Sequence, residues 1–185
     1  GGPPATPLGR ICSPPAWGGP PTLNKLALLA TTRLDGSLKH RIIWDLRRSN
    51  VNKSVRQAER IILPGVPDVV SDALFLSGGR DDPGVRLFGT DISDAFHQVP
   101  LQEAERRFTV AELSGQFYLF EVLVFGSASA PTVWGRYAAM VGRMLAALLD
   151  PDVCRVHIYV DDPIFAVAHP SPRAARELAI AALWL

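Results

Sequence analysis

Only two of the 185 residues are cysteine, and Cys12 and Cys154 are far apart with neither a metal-ligand spacing nor a redox pair. Such scarcity excludes the disulfide framework of small secreted domains and points to a reducing compartment. The four histidines, His40, His97, His157 and His169, also lack ligand spacing and read as surface or packing residues. No apolar run approaches the roughly 18 residues of a membrane span. No signal peptide and no internal repeat is visible. An intracellular protein with no membrane partner is expected, in cytoplasm or nucleus alike. Charge of one sign is missing as well: the formal net charge is +1, too small for a global field that would attract a polyanion.

What is present is unevenly placed. Hydrophobic residues make up 48% and charged residues 20%, enough for a folded domain with a core or for a fragment of something larger. Arg33 to Arg60 holds eight basic and three acidic residues, a local excess of five that leaves the remainder four negative. A solvated surface would account for such a window, as would a basic segment beside an acidic centre. The chain starts without methionine and ends inside an apolar helical pattern, as a piece of a longer polypeptide would.

The acidic centre is Val156 to Val167, V-H-I-Y-V-D-D-P-I-F-A-V, where strand-forming residues flank Asp161 and Asp162. The pair is expected at a hairpin tip beside a buried sheet. A polar turn between two core strands would look the same. Adjacent carboxylates that lose hydration repel, however, and a divalent cation relieves both costs. Mg²⁺ takes hard oxygen ligands and needs only one or two carboxylates plus substrate phosphates. A second pair, Asp81-Asp82, lies among Gly and Pro and is assigned to solvent.

Residues 1–21 hold five glycines and seven prolines and read as a linker or irregular arm, with the domain proper over 22–185. A short helix is expected over Leu23 to Thr31. Asp35-Gly36 predicts a hairpin turn, with Arg33, Lys39 and Arg41 near it. Those cations suit a phosphate-bearing ligand, and equally an ordinary exposed hairpin. A helix is expected from about Pro67 to Leu76, burying Val70, Ala73 and Leu74. The strand opening at Val85 ends at Asp91, which would face the same charge problem as Asp161. Phe108 to Leu113 and Gln116 to Leu123 form strand–turn–strand. The small-residue loop Phe125 to Pro131 enters a helix running to about Leu149. Its expected buried stripe is Val133, Tyr137, Met140, Met144, Ala147 and Leu148. Gly126 lets backbone approach a flat ligand closely, although helix N-termini without ligands are commoner. Ser171-Pro172 begins a last helix.

Four blocks in this order resemble the reverse transcriptases of long-terminal-repeat retrotransposons and retroviruses. His40 to Asn50, H-R-I-I-W-D-L-R-R-S-N, is similar to the fingers strand. Asp91 to Leu101, D-I-S-D-A-F-H-Q-V-P-L, is similar to the first catalytic motif. Phe125 to Pro131 is similar to the nucleotide-side loop and helix. Tyr159-Val160-Asp161-Asp162 matches the Y-x-D-D box, 70 positions after Asp91. The resemblance covers Leu23 to Leu185. It implies an α+β fold: a right-hand palm with an antiparallel sheet and helices on one face, plus fingers, truncated before the thumb.

The resemblance also implies an activity, RNA-directed DNA polymerisation by two-metal nucleotidyl transfer from a dNTP to a primer 3′-hydroxyl. Asp91, Asp161 and Asp162 would be the catalytic and metal-binding residues, holding two Mg²⁺ ions with Mn²⁺ as a substitute. Arg41, with Lys39 and Arg33, would grip the triphosphate. Phe96 would be the steric gate against a 2′-hydroxyl. Phe125 and Gly126 would pack beside the incoming nucleotide, with Tyr159 and Val160 on the primer side. The implied partners are an RNA or DNA primer–template, dNTP, and the remaining polyprotein with its thumb, RNase H and integrase.

Three departures stand out. Pro163 replaces a strand residue with a free N–H, Val124 stands where many relatives have proline, and the later palm motifs are missing. A catalytically inactive, nucleic-acid-binding remnant is the alternative; an unrelated carboxylate-metal nuclease would leave Phe96 and the Phe125-Gly126 loop unexplained.

Overall fold

The structure, a computed structural model, describes residues 9–11, 19–78, 84–168 and 171–184. In chain order its elements are β1 (Gly9–Ile11), β2 (Leu23–Thr32), β3 (Leu38–Asp45), α1 (Val51–Ser54), α2 (Val66–Ser77), β4 (Arg86–Gly89), a 3₁₀ turn (Ala95–Gln98), α3 (Glu103–Arg106), β5 (Val110–Leu113), β6 (Gln116–Phe120), α4 (Ala130–Leu148), β7 (Cys154–Tyr159), β8 (Asp162–Val167) and α5 (Pro172–Trp184). They divide between two compact units, Gly1–Ala58 with Asp94–Pro131, and Glu59–Ser93 with Thr132–Leu185. The α+β class expected from the sequence is the one observed. The Asp81-Asp82 pair lies outside the described residues. Among the described residues no helix is long and apolar enough to cross a membrane.

The first unit is built on a five-stranded sheet of order β1-β6-β5-β2-β3. All its pairs are antiparallel except β2 with β5. The edge strand β1 falls within the Pro/Gly stretch and pairs Gly9 with Phe120 and Ile11 with Tyr118. Leu23 to Thr32 is a strand, not the expected helix. Its spacing of Leu and Ala suits a helix, but hairpin pairing from Lys25↔Asp45 to Thr32↔Leu38 overrides that local period. Buried Asn24 pins its start, its Nδ2 donating to the carbonyls of Thr22, Phe108 and Val110. The core collects Trp44, Leu46, Phe120 and Val124, with the Trp44 and Phe120 rings edge-on at 4.2 Å. Val124 therefore fills core volume.

The second unit carries a three-stranded antiparallel sheet, β4-β8-β7. One face packs Cys154, Phe165 and Val167 against Leu145 and Leu149, with Ala174 and Ala181 of α5. The α4 stripe is not the expected one. Trp134, Ala138 and Leu145 are buried, whereas Tyr137, Met140, Met144 and Leu148 are exposed. Helix α4 is apolar over more than half its circumference, so periodicity alone could not select the face that meets the sheet.

The α2 face is rotated too: Val70 and Leu74 are exposed. A polar contact decides it. Asp72 accepts hydrogen bonds from Arg155 Nη1 at 3.1 Å and pairs with His157 Nε2 at 2.8 Å. Arg155 and His157 alternate with the core-facing residues of β7, so they leave the strand on its other side. The Arg155 guanidinium also lies 3.6 Å from the centre of the Phe75 ring. The helix ends conform to capping rules, with Gly65 N donating to Asp68 Oδ2 and Gly78 left-handed at the C-cap.

Candidate active site

Within the second unit, β7 and β8 pair as far as Tyr159↔Asp162, leaving Val160-Asp161 as a two-residue turn. Val160 has φ 58. Left-handed backbone at the first turn position alone is the type II′ pattern, which favours glycine there. A β-branched residue in that conformation stores roughly 1–3 kcal/mol of strain.

Three hydrogen bonds hold the turn. Trp134 Nε1 donates to the Val160 carbonyl at 2.6 Å. Ile92 N donates to the Asp161 carbonyl at 2.8 Å, and Thr90 N to the Pro163 carbonyl at 3.0 Å. Asp91 lies between the last two donors, so the end of β4 carries it alongside the hairpin tip. Asp91 and Asp162 are exposed and Asp161 is half-buried. Burial first, then the charges of Asp161 and Asp91, raise the Asp162 carboxyl from its ordinary value. The three acids thus form one electrostatic group.

Among the described residues no three His, Cys, Asp or Glu side chains form a ready metal cage. The donor set suits Mg²⁺ in kind nonetheless: hard carboxylate oxygens, mutually repelling, two of the three carboxylates on exposed residues.

Pro163 occupies the central strand and is fully buried. In a two-residue hairpin the closing pair, Tyr159 and Asp162, is the hydrogen-bonded one. The next pair, Ile158↔Pro163, is therefore of the non-bonded kind. The proline nitrogen faces β4, on the side where its own carbonyl accepts from Thr90. Its missing N–H costs one bond to β4 and none in the hairpin that bears the acids.

The other expected residues belong to the first unit. The Phe96 and Phe125 rings are 5.1 Å apart, and His97 meets Phe125 edge-on at 5.2 Å. Neither His97 nitrogen finds a hydrogen-bond partner among the described residues. Burial lowers its pKa, opposed by Asp94 at 3.9 Å, so the imidazole is neutral at pH 7. Gly126 has φ 105, and a Cβ there would lie 2.1 Å from the Trp44 carbonyl oxygen. Its close backbone approach is thus to β3. Trp44 N donates to the Phe125 carbonyl at 2.9 Å. Asn52 completes the clamp, donating to the Gly126 carbonyl at 2.8 Å and accepting from Ala128 N at 2.9 Å. Gln57 donates to the Ala128 carbonyl.

Arg33, Lys39 and Arg41 are exposed on the β2–β3 hairpin. Lys39 and Arg41 leave β3 on one side, opposite Thr31 and Leu29. The Asp35-Gly36 turn forms as expected, closed by Arg33 N donating to the Ser37 carbonyl at 2.8 Å. Hydrogen bonds from Ser37 lower the Asp35 carboxyl. Cys154 is no nucleophile: burial, then the charge of Glu177, pushes its thiol up to about 11.

Sequence reasoning missed Trp134 and Asn52. Trp134 and Asn52 act on backbone carbonyls far along the chain, which no spacing reveals. His97, expected as a surface or packing residue, packs edge-on against Phe125.

The reverse transcriptase (RNA-dependent DNA polymerase) family profile matches residues 81–184. No curated protein sequence matches the chain. Among solved structures, the native prototype foamy virus protease-reverse transcriptase superposes with a TM-score of 0.56 at 18% identity, covering 89% of this chain and 19% of that one. The foamy viral protease-reverse transcriptase dRH in complex with ds DNA gives 0.56 at 14% identity, covering 86% and 24%. The chain therefore spans about a fifth to a quarter of those proteins, and the likeness is one of fold. With more than half its length matched by the profile, the chain belongs to the reverse transcriptase family.

Proposed function

We propose that this chain carries the polymerase centre of an RNA-directed DNA polymerase, acting on a primer–template and dNTP within a longer retroelement polyprotein that supplies thumb, RNase H and integrase. The observation that carries the reading is the electrostatic group of Asp91, Asp161 and Asp162, gathered by backbone bonds from both sides of Asp91 to the hairpin. Asp91 and Asp161 would hold Mg²⁺ ions, or Mn²⁺ in their place, with Asp162 sharing the role. Such ions, when bound, lower the pKa of the attacking hydroxyl and stabilise charge on the leaving pyrophosphate.

The chain's own residues do the rest. Asp162 adds a third carboxylate to the group, its pKa raised by burial and by the neighbouring charges of Asp161 and Asp91. Arg41, aided by Lys39 and Arg33, neutralises the triphosphate, with Arg suited to bidentate contact. Phe96, its ring backed by Phe125, excludes a 2′-hydroxyl. Phe125 and Gly126 pack beside the nucleotide, and Tyr159 and Val160 lie near the primer end. Nucleic-acid binding is mainly to phosphate, hence tolerant of sequence and sensitive to salt. The reading as an inactive remnant has Pro163 spoiling the metal geometry; the unbroken register of β7 with β8 through Pro163 supports the active one.

Primer extension on an RNA template with Mg²⁺ tests the proposal. Asp161→Asn should cut the rate about a thousandfold or more, since several kcal/mol of charge stabilisation are lost. Phe96→Ala should raise rNTP incorporation. Extension untouched by the first change sinks the catalytic assignment, and unaltered sugar discrimination in the second removes the gate.

A further inference from the structure

We propose that Trp134 is a positioning residue whose indole N–H locks the central peptide of the Val160-Asp161 turn and thereby aims the two acids. What the acids accomplish rests on the polymerase reading; how they are held does not.

The Val160 carbonyl belongs to the peptide linking the two turn residues. That peptide must rotate if a type II′ turn is to relax into its alternatives. Val160 has every reason to relax, being β-branched at φ 58. Trp134 is 3% exposed and holds this carbonyl at 2.6 Å. It sits in α4, 26 residues back along the chain, so the bond ties the turn to a rigid element. Ile92 N secures the following peptide through the Asp161 carbonyl at 2.8 Å. Rotation of the central peptide would turn the Asp161 backbone, and with it the direction in which the carboxylate leaves the chain. A displacement near 1 Å is of the order that costs a hundredfold in rate.

Four proteins test this: the unaltered chain, Trp134→Phe, Val160→Gly, and the double variant. Phenylalanine keeps an aromatic ring and removes only the donor and one ring of volume. Glycine accepts the left-handed turn without strain. Amide hydrogen exchange over 156–167 should speed up roughly tenfold in Trp134→Phe, the scale of one hydrogen bond. In the Val160→Gly background the same change should have less than half that effect, because no strain is left to restrain. Equal effects in both backgrounds would mean simple packing and overturn the proposal. Where Trp134→Phe does not fold, the unaltered chain decides: the Trp134 indole proton should exchange as slowly as the hairpin amides, and exchange at the rate of a free indole refutes the lock. In primer extension, Trp134→Phe should lower kcat ten- to a hundredfold with the KM for dNTP changed less than threefold. A chain with no extension activity at all defeats the polymerase reading while the exchange results still judge Trp134.

Discussion

Replacing Gly126 with alanine tests whether the small-residue loop is seated on β3 as described. The new Cβ would lie 2.1 Å from the Trp44 carbonyl oxygen and 3.1 Å from its carbon, with the backbone held at φ 105. Trp44 cannot retreat, since it is 2% exposed and wedged edge-on against Phe120. The loop must move instead, breaking the Trp44 N to Phe125 bond and both Asn52 bonds. Three bonds at about 1 kcal/mol each, plus about 1 kcal/mol for alanine in a left-handed site, give a loss of about 4 kcal/mol. Gly36→Ala is the matched control, with φ 81 but nothing within 4 Å of an added Cβ. It should cost only the conformational part, about 1 kcal/mol. Urea unfolding reads both, as a fall in midpoint at unchanged slope. If the two variants lose equal stability, the clash does not exist and the loop is not clamped by Trp44.

Other perturbations separate stability from chemistry. Asp162→Asn should stabilise the metal-free chain at pH 7 by less than about 1 kcal/mol, because the carboxylate is exposed and screened, while ending primer extension. The sign follows from the raised pKa of Asp162: its charged form is disfavoured in the folded state, so the gain disappears once pH falls below the ordinary 3.8. His97 titrates in the opposite sense. Its pKa is depressed by burial, so the unfolded chain takes up the proton first and stability declines as pH falls below the ordinary 6.5; His97→Phe should flatten that decline in thermal melts. Asp72→Ala strips Arg155 and His157 of their shared acceptor and should cost about 2 kcal/mol in chemical denaturation, with no loss if α2 is held by apolar contact alone.

The legible parts of this fold were those where local chemistry and global structure agree. The Asp35-Gly36 turn, the β5–β6 hairpin and the acidic tip of β7–β8 each announce themselves, because turn residues and strand composition act over a few positions. The helices α2 and α4 were found, but their buried faces were not. Helix α4 offers two apolar stripes, and only the sheet beneath it selects Trp134, Ala138 and Leu145. Helix α2 turns inward on Asp72 because Arg155 and His157 wait 83 and 85 residues away. Strand β2 misled because its leucines and alanines fit a helical period while its partner β3 was the stronger influence. The acidic hairpin tip was legible from charge and strand composition, and the bonds that hold it were not. Such bonds run to main-chain carbonyls, which every residue possesses and no sequence marks.

Three unfavourable features converge on four consecutive residues: a left-handed valine, repelling carboxylates, and a proline that denies β4 one bond. Any one would suffice to unsettle an isolated hairpin. Together they persist because their neighbours over-determine the turn, through Trp134 at one carbonyl, Ile92 at the next, and Thr90 at a third. These anchors bind main-chain carbonyls and none of the three carboxylates. Glycine at position 160 would relieve the strain, and asparagine at position 162 the repulsion, each stabilising the folded hairpin. Strain and repulsion therefore sit side by side in the turn, the first in the Val160 backbone and the second in the carboxylates, and each is held in place by bonds to neighbouring elements.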